Sequence, residues 1–232
     1  MAGRHIVAMG GGGFLMEGPS LLDDYVLGLA GRPDPRVCYL GTAAGDAPAD
    51  IVSFYRAFPL GRADASHLSL FQRDERDPRA HLLAQDVIYV GGGNTVNLLA
   101  IWRAHGIDAV LREAWEAGVV LCGMSAGSLC WFEAGITDSY GPLRALHDGL
   151  GLLPGSNCPH YDGEPERRPT YQRAIGDGLP AGIAADDCCG LHFAGTDLAD
   201  VVTSRPEARA YRVEQGPDGV RETPIAARFL GA

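Results

Sequence analysis

Lysine is absent from this 232-residue chain, so all 19 of its basic residues are arginine. That absence excludes a lysine Schiff base and the lysine of a phosphate-binding P-loop. No basic run occurs, and 29 acidic residues leave a net charge of −10. Nucleic acid and acidic membrane surfaces are therefore poor partners. No apolar run approaches the ~20 residues needed to cross a bilayer. The start of the chain, Met1 to Met9, lacks the apolar core of a signal peptide. A soluble cytoplasmic protein without membrane contacts is expected. None of the six cysteines belongs to a C-x-x-C pair, so reduced thiols in or near the core are expected. No H-E-x-x-H occurs, and the acidic stretch after His160 lacks a second histidine. Neither a metal nor an organic cofactor is implied. With no repeat, linker or low-complexity segment, residues 1–232 are expected to form a single α/β domain.

Short apolar runs and amphipathic stretches alternate along the first half of the chain. Strands are predicted at residues 5–9, 36–40, 66–71, 86–90 and 118–122. Helices are predicted at residues 21–29, 50–58, 78–84, 95–102 and 107–117. Continuous apolar strands that alternate with helices imply a mostly parallel sheet with helices on both faces. Sites in such sheets lie at the carboxyl ends of the strands. Gly10–Gly13, Gly41, Gly91–Gly93 and Gly123 each follow a strand directly, which places them on one rim. Beyond Phe132 the pattern loosens into a Gly/Pro-rich region, and short strands resume from Gly182, with a hairpin turn at residues 216–219.

The segment Gly123-Met124-Ser125-Ala126-Gly127 is a G-x-S-x-G pattern at the end of a strand, and Ser128 to Phe132 reads as the beginning of a helix. Small residues on both sides allow the sharp turn that presents a serine nucleophile above a sheet. A base is needed, and His160, stiffened by Pro159, is the strongest downstream candidate. An orienting carboxylate is needed to fix the histidine tautomer. Asp138 is best placed, with Glu133 the alternative; Asp162 lies too close to His160 in sequence to aim at it. Asp138 reads equally well as an ordinary turn residue. The Ala126 backbone N–H is one oxyanion donor, and a second is expected from the Gly91–Asn94 run. Neither glycine run fits G-x-G-x-x-G, which speaks against a dinucleotide site.

Together, residues 89–99, Gly123–Gly127, Thr137-Asp138 and Cys158–Tyr161 resemble the peptidase E group of serine peptidases, the S51 family, which also holds α-aspartyl dipeptidases and cyanophycinases. The resemblance implies a class I glutamine-amidotransferase-like α/β fold with serine in place of cysteine at the elbow. It implies Ser125 as nucleophile, His160 as base and Asp138 as third member. It also implies Gly93 and Ala126 as oxyanion donors, with Asn94 beside them as a substrate-binding candidate. Members specific for N-terminal aspartate use a basic residue downstream of the histidine. Arg167 and Arg168 stand in that region, among Asp162, Glu164 and Glu166. Some members use glutamate as the third residue, which retains Glu133.

The expected activity is hydrolysis of short peptides, dipeptides with N-terminal aspartate among them, through an acyl-enzyme. The expected partner is a short peptide, and a homodimer is left open. Two rival readings remain: an α/β-hydrolase-like esterase, which would place its histidine well beyond the serine, and a non-catalytic ligand-binding domain of the same fold.

Overall fold

The computed structural model describes residues 3–231; Met1, Ala2 and Ala232, which the single-domain expectation includes, lie outside the described residues. The first half of the chain runs β1 (His5–Met9), α1 (Phe14–Glu17), α2 (Leu21–Leu29), β2 (Arg36–Leu40), α3 (Pro48–Ala57), β3 (Asp64–His67), α4 (Pro78–Leu83), β4 (Val87–Val90), α5 (Thr95–His105), α6 (Ile107–Glu116) and β5 (Val120–Met124). It continues through α7 (Ala126–Leu129), β6 (Phe132–Thr137), β7 (Arg144–Leu146), β8 (Leu153–Cys158), α8 (Arg167–Gly176), β9 (Gly182–Ala185), β10 (Cys189–Ala194), β11 (Asp197–Thr203), β12 (Ala210–Gly216), β13 (Gly219–Ile225) and β14 (Arg228–Phe229).

An eight-stranded sheet has the order β14-β11-β10-β1-β5-β4-β2-β3. Its β1, β5, β4, β2 and β3 are parallel neighbours, and β10 joins β1 antiparallel. Strand periodicity divides the core between its faces. Ile6, Ala8, Cys38, Leu40, Ile88, Val90 and Leu121 pack with Leu98, Trp102, Leu111 and Trp115 of α5 and α6. The alternate residues Val7, Met9, Val37, Tyr39, Val87, Tyr89, Val120 and Cys122 pack with Phe14, Leu22, Val26, Phe54 and Phe58 of the helices on the other side. This is the mostly parallel α/β sheet with helices on both faces that the alternation predicts.

Three local differences have physical causes. The third strand is predicted at residues 66–71 but is Asp64–His67. Leu68 and Leu70 are buried without continuing the ladder, because the Leu70 and Phe71 amides donate to the Asp46 carboxylate at 2.6 and 3.0 Å. The fifth strand extends to Met124, so its last residues lead straight into the serine turn. The helix after the serine lasts one turn before the chain enters β6.

The loosely patterned region, together with β9, β12 and β13 of the tail, builds a second sheet of six strands in the order β13-β12-β9-β8-β6-β7. One hydrophobic cluster includes residues of both sheets, among them Leu121, Phe132, Leu153, Ile183 and Leu191. The turn between β12 and β13, Gly216 to Gly219, is where the hairpin is predicted. All six cysteines are free and buried. Among the described residues, no helix is long and apolar enough to cross a membrane.

Candidate active site

Ser125 leaves β5 with φ 55° and ψ −113°, a backbone region that L-residues rarely adopt. Its amide donates to the Met9 carbonyl at 3.1 Å, which pins the turn against β1. The flanking glycines are steric requirements. A Cβ on Gly123 would lie 2.5 Å from the Gly127 carbonyl oxygen, and one on Gly127 would lie 2.4 Å from the Val90 oxygen. The elbow inferred from G-x-S-x-G is therefore present.

His160 follows β8, also with positive φ (54°), and its amide donates to the Gly10 carbonyl at 3.1 Å. Its Nδ1 donates to Asp187 Oδ1 at 2.6 Å. With a carboxylate as the only role open to Asp187 at that contact, the ring proton sits on Nδ1 and Nε2 is free to accept one. The hydrogen bond from His160, with the Arg205 and Arg167 charges beyond it, holds the Asp187 carboxyl below the usual carboxylate range against the opposing effect of burial. Gly11 makes room for this pair: a Cβ there would lie 2.1 Å from Asp187 Oδ1 and 3.1 Å from His160 Cε1. The first glycine run thus serves close packing under the histidine.

The geometry does not bring the expected orienting carboxylates to His160. Asp138 lies at the end of β6 in the same pocket, but its Oδ2 faces Arg167, with the guanidinium 3.8 Å away. Glu133 is exposed and accepts the Gly155 amide at 2.8 Å, where the β6–β8 pairing is irregular. Neither carboxylate meets His160. The reason lies in the second sheet. Strand β8 pairs with β9, Cys158 opposite Ala184, so the residues just beyond both strand ends, His160 and Asp187, become neighbours. Asp187 carries little local signal in the sequence, only an Asp-Asp pair after a short Ile183-Ala-Ala185 run.

The second glycine run lies over the serine. A Cβ on Gly92 would sit 3.3 Å from Ser125 Cβ, and Gly93 has φ 132° with its would-be Cβ 2.4 Å from the Ala43 carbonyl oxygen. Among the described residues, neither the Gly93 nor the Ala126 amide donates to a backbone carbonyl. Asn94 is occupied structurally: its Oδ1 accepts the Asn97 amide and caps α5, and its Nδ2 donates to the Ser139 carbonyl, both at 2.9 Å.

Gly93, Asn94, Ser125, Asp138, Ser139, His160, Glu164 and Arg167 line one cavity of about 330 Å³. Arg167 is buried, with Nε 2.9 Å and Nη2 3.2 Å from the two Glu164 carboxylate oxygens. Arg168, the other substrate-binding candidate, is not in this cavity. It pairs with Glu222 and lies over the Tyr161 and Tyr211 rings, an arrangement that ties α8 to the β12–β13 hairpin. Among the described residues, no three or more His, Cys, Asp or Glu side chains are grouped to hold a metal ion.

Comparison with known proteins agrees with this geometry. The chain is 50% identical over 230 residues to the uncharacterized peptidase YgaJ of Bacillus subtilis strain 168, covering 98% of this chain and 100% of that one. It is 29% identical over 177 residues to peptidase E of Shewanella denitrificans, 72% of each chain. The crystal structure of a peptidase from an acI-B1 actinobacterium shares the fold, with a TM-score of 0.69 at 20% identity over 97% of this chain and 96% of that one. The model of peptidase family S51 matches residues 6–201. Elbow, glycine-lined rim and class I glutamine-amidotransferase-like α/β fold thus converge with these likenesses, and the chain belongs to peptidase family S51.

Proposed function

We propose that the protein is a serine peptidase of short peptides in which Ser125, His160 and Asp187 form the catalytic triad. The observation that carries this reading is the 2.6 Å hydrogen bond from His160 Nδ1 to Asp187, with Ser125 and His160 lining one small cavity. Ser125 Oγ attacks the scissile carbonyl while His160 Nε2 takes its proton. Asp187 stabilises the imidazolium that forms. The Gly93 and Ala126 amides bind the developing oxyanion. His160 then protonates the leaving amine, and water hydrolyses the acyl-enzyme by the same route in reverse. Family membership displaces the α/β-hydrolase reading. The proposed compartment is the cytoplasm, in keeping with six free, buried thiols.

Dipeptides with N-terminal aspartate are one substrate class within this reading. Arg167 is the residue that would meet an acidic side chain, since it alone of the two arginines lines the cavity. Glu164 and Asp138 already face its guanidinium, so acidic substrates must compete with two resident carboxylates. A dipeptide library read by mass spectrometry tests both points. Turnover is expected in the wild type and not in Ser125→Ala, with a labelled fluorophosphonate captured only by the former. Full turnover by Ser125→Ala would end the serine-peptidase reading.

A further inference from the structure

Asp162 does not aim at His160; it reaches past it to the backbone of Asp187. Its Oδ1 accepts the Asp187 amide at 2.7 Å, and its Oδ2 accepts from Arg205 Nη2 at 2.5 Å. The same Arg205 Nη2 lies 3.3 Å from the Asp187 carbonyl oxygen. The next residue, Cys188, is held as firmly, its amide donating to Gly11 at 3.1 Å and its carbonyl accepting from Ser204 at 3.0 Å. Both backbone groups of Asp187 are therefore tied down by side chains.

We propose that Asp162 and Arg205 form a clamp that positions Asp187 against His160, and so are positioning residues for the reaction; this rests on the triad proposed above. The geometric argument is that Asp162 belongs to the His160 segment. Asp187 meets that segment twice, once through its carboxylate on the His160 ring and once through its amide on Asp162. One contact leaves the carboxylate free to swing about it. Two contacts close a ring that fixes the orientation of the Asp187 peptide, and with it the direction of its Cα–Cβ bond. Arg205 is the brace for the second contact. Its Nε is buried without a hydrogen-bond partner, a cost retained while the guanidinium holds this place. The Asp162 and Arg205 side chains are 36% and 41% exposed, so solvent screens their attraction and the contribution is one of geometry.

The test compares wild type with Asp162→Ala, Asp162→Asn and Arg205→Lys, using the exposed pair partner Glu214→Ala as control. Readouts are kcat and KM on a dipeptide substrate, the rate of fluorophosphonate capture at Ser125, and the downfield proton resonance of His160 Nδ1–H. The expected result is a fall in kcat of about 10²-fold for Asp162→Ala, the scale of a misplaced catalytic group. KM should stay nearly constant, because the clamp acts on the imidazolium of the transition state and not on bound substrate. Capture should slow in parallel, and the Nδ1–H resonance should shift or broaden. Asp162→Asn should lose less, since its amide oxygen still accepts the Asp187 N–H. Unchanged kcat and resonance in folded variants would overturn the clamp, as would a rise in KM alone. Should Asp162→Ala fail to fold, Asp162→Asn and Arg205→Lys decide by the same criteria. Should the wild type show neither turnover nor capture, the peptidase reading fails, and the resonance still judges the clamp.

Discussion

Ser125, His160 and Cys188 all hold positive φ, at 55°, 54° and 65°, and all three border the same junction between the two sheets. Such backbone costs a non-glycine residue about 1–3 kcal/mol and persists where the surroundings impose it. Ser125→Gly should therefore unfold at higher urea concentration than wild type while losing turnover, a gain of about 1 kcal/mol at the expense of function. Lower stability in that variant would show that the Ser125 conformation is not strained. The carboxylates separate as clearly. Asp187→Asn should lower kcat by about 10³–10⁴, because the amide favours the wrong histidine tautomer. Asp138→Asn and Glu133→Gln should keep kcat within about tenfold of wild type, since neither touches His160. Equal losses in Asp138→Asn and Asp187→Asn would count against Asp187 as the proposed third member. The elbow at Ser125, the place of His160 beside it in one cavity, and the glycine run over the serine were legible in the sequence because each signal is local: a small-residue turn, a proline-stiffened histidine, a glycine run after a strand. Asp187 was not legible, because its link to His160 passes through β8–β9 pairing across the whole of α8.

Glycine marks the difference between the half of the chain that could be read and the half that could not. In β1, β2, β4 and β5 the apolar runs are nearly continuous, so strand and helix signals stand apart. Strands β6 and β8 carry Gly135 and Gly155, together with polar residues such as Ser156 and Asn157, and their pattern reads as loop; β9, where short strands are expected to resume, opens on Gly182. The structure shows why the glycines are there. A Cβ on Gly182 would meet the Ser156 carbonyl oxygen at 1.9 Å, backbone against which nothing yields. Ser156 Oγ already donates to the Pro180 carbonyl at 2.5 Å, so the crossing is tight on both sides. Gly182→Ala should therefore cost about 1–3 kcal/mol in urea denaturation. It should also lower kcat in the protein that remains folded, because β8 and β9 deliver His160 and Asp187. Gly28, in the last turn of α2, has nothing within 4 Å of its would-be Cβ. Gly28→Ala should raise stability by about 0.5–1 kcal/mol and leave kinetics alone. Identical effects of the two substitutions would contradict the packing assigned to β9.

For the molecule as a whole, the buried acids set opposing pH limits on stability. Asp23 is fully buried beneath the first glycine run, where its Oδ1 accepts from Tyr89 at 3.0 Å and its Oδ2 has no partner. Burial pushes its carboxyl up to about 7 from an ordinary 3.8, against the pull of the Tyr89 hydrogen bond. Asp186, also buried and near Asp162, is pushed up to about 6. Between pH ~4 and ~7 the folded state therefore keeps protons that the unfolded chain has released, and stability falls as pH rises across that window. Asp187 and Asp86 act the other way. The His160 hydrogen bond lowers the first and the Arg36 hydrogen bond lowers the second, so their contributions are present above pH ~4 and lost as pH drops below it. Stability should therefore peak on the acid side of neutrality and decline toward pH 8. Asp23→Asn isolates the cause. The amide oxygen still accepts from Tyr89, and no charge needs burying at high pH. At pH 8 the variant should be more stable than wild type by about 2–4 kcal/mol, and near pH 4 the two should be almost equal. The net charge of −10 also repels itself more as pH rises, but removing one charge of that number shifts the curve only slightly and at all pH values above the carboxylate range. Urea midpoints at pH 4.5, 6 and 8 separate the two effects. A gap between wild type and variant that opens above pH ~4 and stops growing above pH ~7 assigns the decline to Asp23, whereas parallel curves would assign it to overall charge.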